Sequence, residues 1–589
     1  MDERGWDAAD VILFSGDAYV DHPAFGAAVV GRFLESLGLK VAIVPQPNWR
    51  DDLRDFRKLG RPKLFFGVSP GAMDSMVNKY TAHKRLRSED AYTPDGRIDL
   101  RPEYPSVVYT QCIRTVYPDV PIILGGIEPS LRRLTHYDYW QDRLRPSILV
   151  DARADLLIYG MGELPLERIV EELKAGRSLP ELTEVPQTVY LRPSTTVEVS
   201  DQDIQLFSHE ECLKSKRNQA QNFRHIETES NKYHAHRILQ RVGQETVVVN
   251  PPFPPMSEEQ IDRSFDLPYT RLPHPRYRGK RIAAYEMIKH SVNAHRGCFG
   301  GCAFCTISAH QGKFVASRSE ESVIREVEQI VAMEDFKGYL SDVGGPSANM
   351  YKMHGRNQAM CACCERFSCI NPSICPNLDA DHTPLTKLLR RIDKIKGIKK
   401  SFIGSGVRYD LLLAPYKEPK LKEAALTYAE DLVKYHVSGR LKVAPEHTSP
   451  TVLRWMRKPS FDLFGEFKQF FDRVNREAGL KQQLVPYFIS SHPGCTEADM
   501  AELAVLTKRL GFRLEQVQDF TPTPMTLATE IYYTGYDPYT LKPVYTARTD
   551  KQKKAQSQFF FWYKPDQAAR IKQELKRIGR ADLISKLFR

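Results

Sequence analysis

The sequence predicts an α/β protein of two main parts. A Rossmann-like, doubly wound sheet domain is expected over 1–180 and a partial (βα)6 TIM-type barrel over 286–545, followed by a helical C-terminal extension over 546–589. Three observations lead there. The chain has 589 residues, more than the roughly 250–300 that one hydrophobic core supports. Short apolar runs alternate with helix-patterned stretches in both parts, as strands covered on both faces require. Glycines and polar residues gather at the ends of those runs, where open α/β sheets and barrels hold their ligands.

In the first part, 11–15 reads as a buried strand, 23–37 as a helix opening on Pro23, and 41–44 and 64–68 as further strands. Residues 106–117 are helical; 121–124 run into Gly125-Gly126, and 155–159 run into Gly160. Charge and turn residues over 78–105 interrupt the alternation and read as a long insertion or lid. From 181 to 285 the pattern weakens to a connecting region, with a helical stretch at 218–242 and the crossing segment Asn250-Pro-Pro-Phe-Pro-Pro255. Alternation then returns. Strands are expected at 291–294, 338–343, 400–404, 441–444, 484–489 and 514–519, with helices at 319–333, 384–396, 420–435, 460–478 and 497–510 between them. Six βα units in order argue a barrel whose chemistry sits in the loops after its strands.

Composition narrows the class. The chain is 42% hydrophobic and 27% charged, ordinary for a soluble globular protein. No apolar run has the length of a membrane span, and residues 1–10, polar and acidic, do not form a secretory signal. A cytoplasmic protein without a membrane partner is the expectation. Of eleven cysteines, eight lie between Cys298 and Cys375. That clustering argues metal ligation in a reducing compartment and against a secreted disulfide framework. The net charge is +11, of which the tail from Arg548 to Arg589 carries +8. Such a tail suits a phosphate backbone, which makes RNA a candidate partner; a solvated helix face has the same signature.

The central motif is His295-Arg-Gly-Cys298-Phe-Gly-Gly-Cys302-Ala-Phe-Cys305, directly after the first barrel strand. Three thiolates in one glycine-rich loop can wrap a corner of a 4Fe–4S cube. A cube usually takes four cysteines, so three leave one iron open. S-adenosylmethionine (SAM) suits that vertex, since its amino and carboxylate groups can chelate the iron. One electron passed to its sulfonium then breaks a carbon–sulfur bond and yields a 5′-deoxyadenosyl radical. A zinc knuckle or an electron-transfer cluster is the competing reading, and either would want a fourth ligand close by.

Other residues fall at the same rim. Phe304 precedes the last cysteine, and Gly344-Gly345 follow the second strand, where backbone can approach the amino end of SAM. Ser405 and Arg408 after the third strand, and Glu446 after the fourth, are expected to reach its ribose or carboxylate. His492 and Cys495, after the fifth, are the candidates for acid, base or hydrogen donor toward the substrate. In the loop after the second strand, Cys361, Cys363, Cys364, Cys369 and Cys375 crowd together. Cys361, Cys364, Cys369 and Cys375 form one consistent ligand set for an auxiliary iron–sulfur cluster or a zinc, with His354 and His382 flanking.

These motifs together resemble the YgiQ, or UPF0313-like, family of radical SAM proteins. The resemblance runs along the chain through residues 11–26, Met73-Asp-Ser-Met-Val-Asn-Lys-Tyr80, Ile123-Leu-Gly-Gly-Ile-Glu-Pro-Ser-Leu-Arg-Arg133 and Tyr159-Gly-Met-Gly-Glu163. It continues through the cysteine loop, Leu441-Lys-Val-Ala-Pro-Glu-His447, Pro486-Tyr-Phe-Ile-Ser-Ser-His-Pro-Gly494 and Val517-Gln-Asp-Phe-Thr-Pro-Thr-Pro524. The barrel half is also similar to the wider group that contains the tRNA methylthiotransferases. The resemblance implies a 4Fe–4S cluster on Cys298, Cys302 and Cys305, an exchangeable SAM, and a one-electron reductant such as flavodoxin or ferredoxin; it leaves the substrate open, with RNA or protein modification as candidates. The N-terminal domain resembles the cobalamin-binding domains that accompany radical SAM barrels. Asp21-His22-Pro-Ala-Phe-Gly26 departs from their D-x-H-x-x-G signature, so ligation by His22 is not expected and cobalamin is the less favoured cofactor. Two alternatives stand beside the radical SAM enzyme: a cobalamin-assisted radical SAM methyltransferase, and a non-catalytic iron–sulfur or zinc protein that binds nucleic acid.

Overall fold

A period of two sets the first domain. In Val11–Ser15 (β1), Val11 and Leu13 pack into one core layer, while Ile12 and Phe14 pack into another on the opposite face of the sheet. The computed structural model, which describes residues 1–588, builds a parallel sheet on this strand. Val41–Pro45 (β2) and Phe65–Ser69 (β3) flank it, and Ile122–Leu124 (β4) and Leu156–Ile158 (β5) follow outward. Helices Gly26–Ser36 (α1), Pro105–Val116 (α2) and Glu163–Lys174 (α3) connect the strands. Leu34 of α1 and Leu166 and Ile169 of α3 cover the Leu13 face; Tyr109 and Ile113 of α2 cover the other.

The sheet continues past residue 180. Thr188–Pro193 (β6), Ile204–Gln205 (β7), Ile238–Val242 (β8) and Glu245–Val249 (β9) extend it, in the order β2-β1-β3-β4-β5-β6-β9-β8-β7. The stretch read as a connecting region therefore begins as sheet. The helix expected at 218–242 is Lys216–Ser230 (α4); the rest of that stretch includes β8, which turns at Gly243 (φ +61) into β9. The insertion at 78–105 is fastened down. Arg101, itself buried, donates from Nε and Nη2 to Asp90 at 2.8–3.1 Å and pairs with Asp17 at 2.9 Å.

The second domain has six short parallel strands in sequence order. They are Ser291–Asn293 (β10), a split second strand of Tyr339–Leu340 (β11) and Asp342–Gly344 (β12), Lys400–Ser401 (β13), Arg440–Glu446 (β14), Gln483–Ser490 (β15) and Gln516–Asp519 (β16). β10 pairs with β12, β11 with β13, β14 with β15, and β15 with β16. The cysteine loop leads into Thr306–Gln311 (α5); the outer ring is Glu320–Val331 (α6), Thr383–Ile392 (α7), Pro419–Asp431 (α8), Phe461–Glu477 (α9) and Glu497–Arg509 (α10). All five ring helices fall where the 3.6-residue periodicity predicts. The fold is thus a Rossmann-like domain joined to a partial (βα)6 barrel.

The C-terminal segment packs onto this barrel. Leu527–Thr534 (α11), Asp550–Ser557 (α12) and Pro565–Arg577 (α13) carry the chain across it, and Phe559, Phe560, Ile571 and Leu575 enter the barrel's own core. Each buried side chain of that size contributes about 1.5–3 kcal/mol. Lys553 Nζ donates to the Tyr139 hydroxyl at 2.6 Å, tying the segment to the N-terminal domain. No helix among the described residues is long and apolar enough to cross a membrane.

Candidate active site

The loop holding Cys298, Cys302 and Cys305 is closed at its base, where His295–Arg296 pair antiparallel with Ala316–Ser317. Gly301 has φ +63, and a Cβ there would stand 2.6 Å from the Phe367 carbonyl oxygen. At Gly300 a Cβ would meet Arg408 Nη1 at 2.7 Å. These two positions therefore take glycine for opposite reasons: one for its dihedral, the other to admit a guanidinium. All three thiols are free. Arg408 Nη1 donates toward Cys302 Sγ at 3.6 Å, and Asp410 holds the rest of the guanidinium, at 2.9 Å on Nε and 2.5 Å on Nη2. Burial pushes the Cys298 thiol up and Cys305 up to about 12, and negative charge on Cys302 raises both further, so the three sulfurs lie within electrostatic reach of one another.

Around the loop stand buried polar atoms that the protein does not satisfy. They are Glu446 Oε2, both ring nitrogens of His295, and His492 Nε2. Leaving such atoms without partners costs about 1–3 kcal/mol each, a cost a ligand removes. Glu446 sits at φ +68, its other oxygen 3.5 Å from Lys458 Nζ, and burial pushes its carboxyl up. His295 is held neutral, its pKa pulled down by burial to about 4. A Cβ on Gly345 would run into the His295 ring, so the second strand's glycine exists to let that imidazole in. Phe304 and His492 meet edge-to-face at 5.9 Å. Three free thiols, a glycine wrap, a cation on one sulfur and unfilled donors and acceptors beside them fit a cube with a chelating ligand on its open iron. Among the described residues, no group of three or more His, Cys, Asp or Glu side chains is closed up around a single metal ion; the sulfurs round a cube stand farther apart than those round one ion.

Three of the expected residues do other work. Ser405 Oγ donates to Asp342 Oδ1 at 3.0 Å, as do the backbone amides of Gly404 and Ser405, so this hydroxyl braces the second and third strands. Arg408, expected on SAM, is spent on Cys302 and Asp410. Cys495, expected at the substrate, is fully buried in the barrel core with its sulfur 3.5 Å from His447 Nε2. The reason is local: Thr496 caps α10 immediately after it, and the helix start carries the thiol inward. Sequence reading missed His295, Asp342, Asp410 and Lys458. For the first three the signal was present, since each is a polar residue in or next to an apolar strand or the loop that follows one; Lys458, which follows the helix Pro450–Met456, carried none, and the partners of all four are set by the fold.

The second cysteine group lies against the first. Ser368 Oγ lies 2.9 Å from the carbonyl oxygens of both Phe299 and Gly300, and Cys369 N donates to Phe299 O at 3.1 Å. Cys364 N bonds Cys361 O at 3.1 Å and Cys375 N bonds Cys369 O at 2.7 Å, folding the cysteines into two pairs. Asn377 Nδ2 stands 3.3 Å from Cys361 Sγ, and buried Lys313 brings its Nζ to 4.0 Å from Cys364 Sγ. Burial pushes Cys369 up to about 11, with Lys313 opposing and the charges of Cys375, Cys364 and Cys361 adding to it. Those four thiols thus sense one another, whereas Cys363 is exposed. His382 is buried against Asn349 and Tyr428, and His354 is exposed, its ring bonded to the Lys352 carbonyl.

Two cavities lie between the domains. One, of about 460 Å³, opens at the ends of β1, β3, β4 and β5 and runs from Leu13, Phe65 and Gly67 to His295 and Pro346 of the barrel. The other, of about 140 Å³, is walled by β5, β8 and β9 on one side and α5 on the other. His22 lines neither of them: its Nδ1 accepts from Ala24 N at 3.1 Å and its Nε2 faces Arg271 at 2.7 Å.

Residues 1–291 match the family model for the radical SAM N-terminal domain, and residues 515–587 match a domain of unknown function (DUF3362). The chain is 71% identical over 589 residues to a UPF0313 protein of Porphyromonas gingivalis, covering 100% of this chain and 93% of that one. It is 66% identical to a UPF0313 protein of Bacteroides thetaiotaomicron, with 99% and 96% covered. Among solved structures it is similar to the radical SAM methyltransferase TsrM from Kitasatospora setae with cobalamin and a [4Fe-4S] cluster bound (TM-score 0.47, 14% identity, 88% of this chain and 77% of that one). It is also similar to the cobalamin-dependent SAM radical enzyme OxsB (TM-score 0.49, 11% identity, 90% and 55%).

Proposed function

The chain belongs to the UPF0313 family of radical SAM proteins, and from that premise we propose that it is an enzyme whose 4Fe–4S cluster, held by Cys298, Cys302 and Cys305, cleaves SAM reductively. The bound cluster and SAM would supply the radical that attacks the substrate. The observation that carries this reading is the unsatisfied set at the cysteine loop: Glu446 Oε2 and the His295 nitrogens, buried without partners beside three free thiols. In this reading Arg408 offsets thiolate charge at Cys302. Gly344 and Gly345 present backbone where the second strand ends. Glu446 accepts hydrogen bonds from the amino group or ribose of SAM. Phe304 and His492 wall the site against water. The test is anaerobic reconstitution with iron and sulfide, then a strong reductant and SAM. Formation of 5′-deoxyadenosine supports the reading, and an iron-loaded protein that binds but never cleaves SAM refutes it. Cys361, Cys364, Cys369 and Cys375 would hold the second metal centre, iron–sulfur or zinc, and metal analysis of the same sample tells which.

A second reading, a cobalamin-assisted methyltransferase, is favoured by the 460 Å³ cavity, which joins the strand ends of the sheet to the barrel mouth. In that reading His22 supplies no ligand, because both its nitrogens are engaged. A corrinoid spectrum retained by the purified protein would support it. For RNA as partner, the surface that suits is Lys551, Lys554, Lys572 and Lys576, which are exposed while the segment's aromatic residues are packed. Charge reversal at Lys572 and Lys576 should then weaken RNA binding and flatten its salt dependence.

A further inference from the structure

At the C-terminal end of the short helix Ile127–Leu131, which follows β4, stand two adjacent buried arginines with opposite fates. Arg132 is ion-paired with Asp74 and senses the negative charge of Glu128. Arg133, 3% exposed, has no carboxylate partner. Its Nη1 donates to the Ser130 carbonyl at 2.6 Å, its Nη2 reaches Ser230 Oγ at 3.3 Å, and its face lies 4.7 Å from the Tyr159 ring. Nε is buried and donates to nothing. Burial alone pulls the guanidinium below its usual range. An uncompensated buried cation is destabilising, and it persists where something else supplies the countercharge.

Arg133 fronts the cavity of about 140 Å³. Lys313, buried and also on the lining, donates to the Arg366 carbonyl at 2.7 Å and lies 4.0 Å from Cys364 Sγ; the other charges there are paired. Arg296 is paired with Glu163 at 2.5 Å, and Glu229 is held by Lys232 at 2.8 Å and by His236. His310, neutral because burial brings it to about 4, shares the Ser130 hydroxyl with Gly160 N at 3.0 Å each. Tyr159, Tyr233, Phe253 and Phe314 supply apolar wall. The far wall is α5, the helix that starts after Cys305, and its Ser308 Oγ donates to Cys298 O at 3.0 Å.

We propose that this cavity binds an oxyanion, a phosphate or carboxylate carried on an aromatic or apolar body, through the free Nε edge of Arg133. The Nε/Nη2 edge of a guanidinium is the planar fork that grips such groups in two places. The bound anion abuts the helix behind the cysteine loop, which gives the enzyme a handle for a substrate. Binding needs neither cluster nor SAM, so it stands or falls independently of the radical chemistry.

The test uses full-length protein titrated calorimetrically with phenyl phosphate and with benzoate, alongside thermal melts. Wild type is expected to bind at least one of the two in the millimolar range or tighter, and the two arms tell phosphate from carboxylate. Arg133→Met should weaken that binding about tenfold or more, while its ligand-free form melts no lower than wild type, since an uncompensated charge is gone. Arg133→Lys, which keeps the charge and loses the fork, should bind about as weakly as the Met variant. Arg132→Met should melt lower, because it strands Asp74 and Glu128. Equal binding by wild type and both Arg133 variants, or no binding by wild type to either probe, overturns the proposal.

Discussion

The two cysteine groups touch, yet they are built differently. Cys298, Cys302 and Cys305 lie in a loop whose shape is dictated by glycines and whose charge is met by a buried, Asp-braced arginine. Cys361, Cys364, Cys369 and Cys375 lie in a polar loop held by ordinary turns, with one lysine and one asparagine beside the sulfurs. Three sulfurs ringed by unsatisfied donors and acceptors would suit the proposed centre that takes an external ligand. Four cysteines drawn into two pairs by backbone hydrogen bonds would suit the proposed centre that closes on itself. The difference teaches that counting thiols is less informative than asking which neighbouring polar atoms are left waiting.

The harshest test of that contrast is Cys302→Ala. Losing one of the three proposed ligands should abolish 5′-deoxyadenosine formation, a fall of about 1,000-fold or more on the scale of lost catalytic groups, and the melting temperature should shift little. Activity that survives would mean the first group is not the reactive one. Next, Cys361→Ala or Cys364→Ala should remove the second centre's metal while leaving the first centre's spectrum in place, whereas Cys363→Ala should leave the metal content unchanged. If Cys363→Ala alone lowers it, the ligand set assigned here is wrong. Ser368→Ala tests the contact between the groups. It deletes a buried hydroxyl that bridges two carbonyls of the first loop and receives the amides of Ile370 and Asn371. The expected loss is about 1–3 kcal/mol in chemical denaturation, with slower reconstitution of both centres.

The last effect lies outside both groups and depends on pH. Glu530, buried on α11, donates nothing and accepts from Gln219 at 3.0 Å; burial raises its carboxyl to about 7. Its folded pKa exceeds the unfolded one, so the stability it gives as a neutral acid is complete below about pH 4.5 and is lost as pH rises through about 7. Glu530→Gln should therefore melt above wild type at pH 8, by up to about 3 kcal/mol, and equal it near pH 5. No pH dependence of that difference would mean the carboxyl is solvated.

Much of this was legible in the sequence because it rests on local pattern. The helices of the barrel announce themselves through 3.6-residue periodicity, and β1 through an unbroken apolar run. The Cys-x3-Cys-x2-Cys spacing with its glycines marks the loop proposed to hold the cluster, without any knowledge of tertiary contacts. What failed depended on contacts across long separations. Cys495 looks available at a strand end and is buried by the helix that follows. Arg408 looks free for a ligand and is committed to a cysteine 106 residues away. The strands after residue 180 belong to the first sheet because β9 finds β6 beside it, a pairing no local window contains.

By itself the sequence determined the two-part α/β plan, the three-sulfur loop and the candidate four-sulfur set, because each is written in residue type and near-neighbour spacing. Only the tertiary structure decided which buried charges are paired. Arg132 and Arg133 are identical in sequence terms, and they differ because one side chain meets Asp74 in the core while the other lies at the wall of a cavity and meets no carboxylate. Electrostatic satisfaction is a property of the three-dimensional surroundings, which no local window of sequence contains.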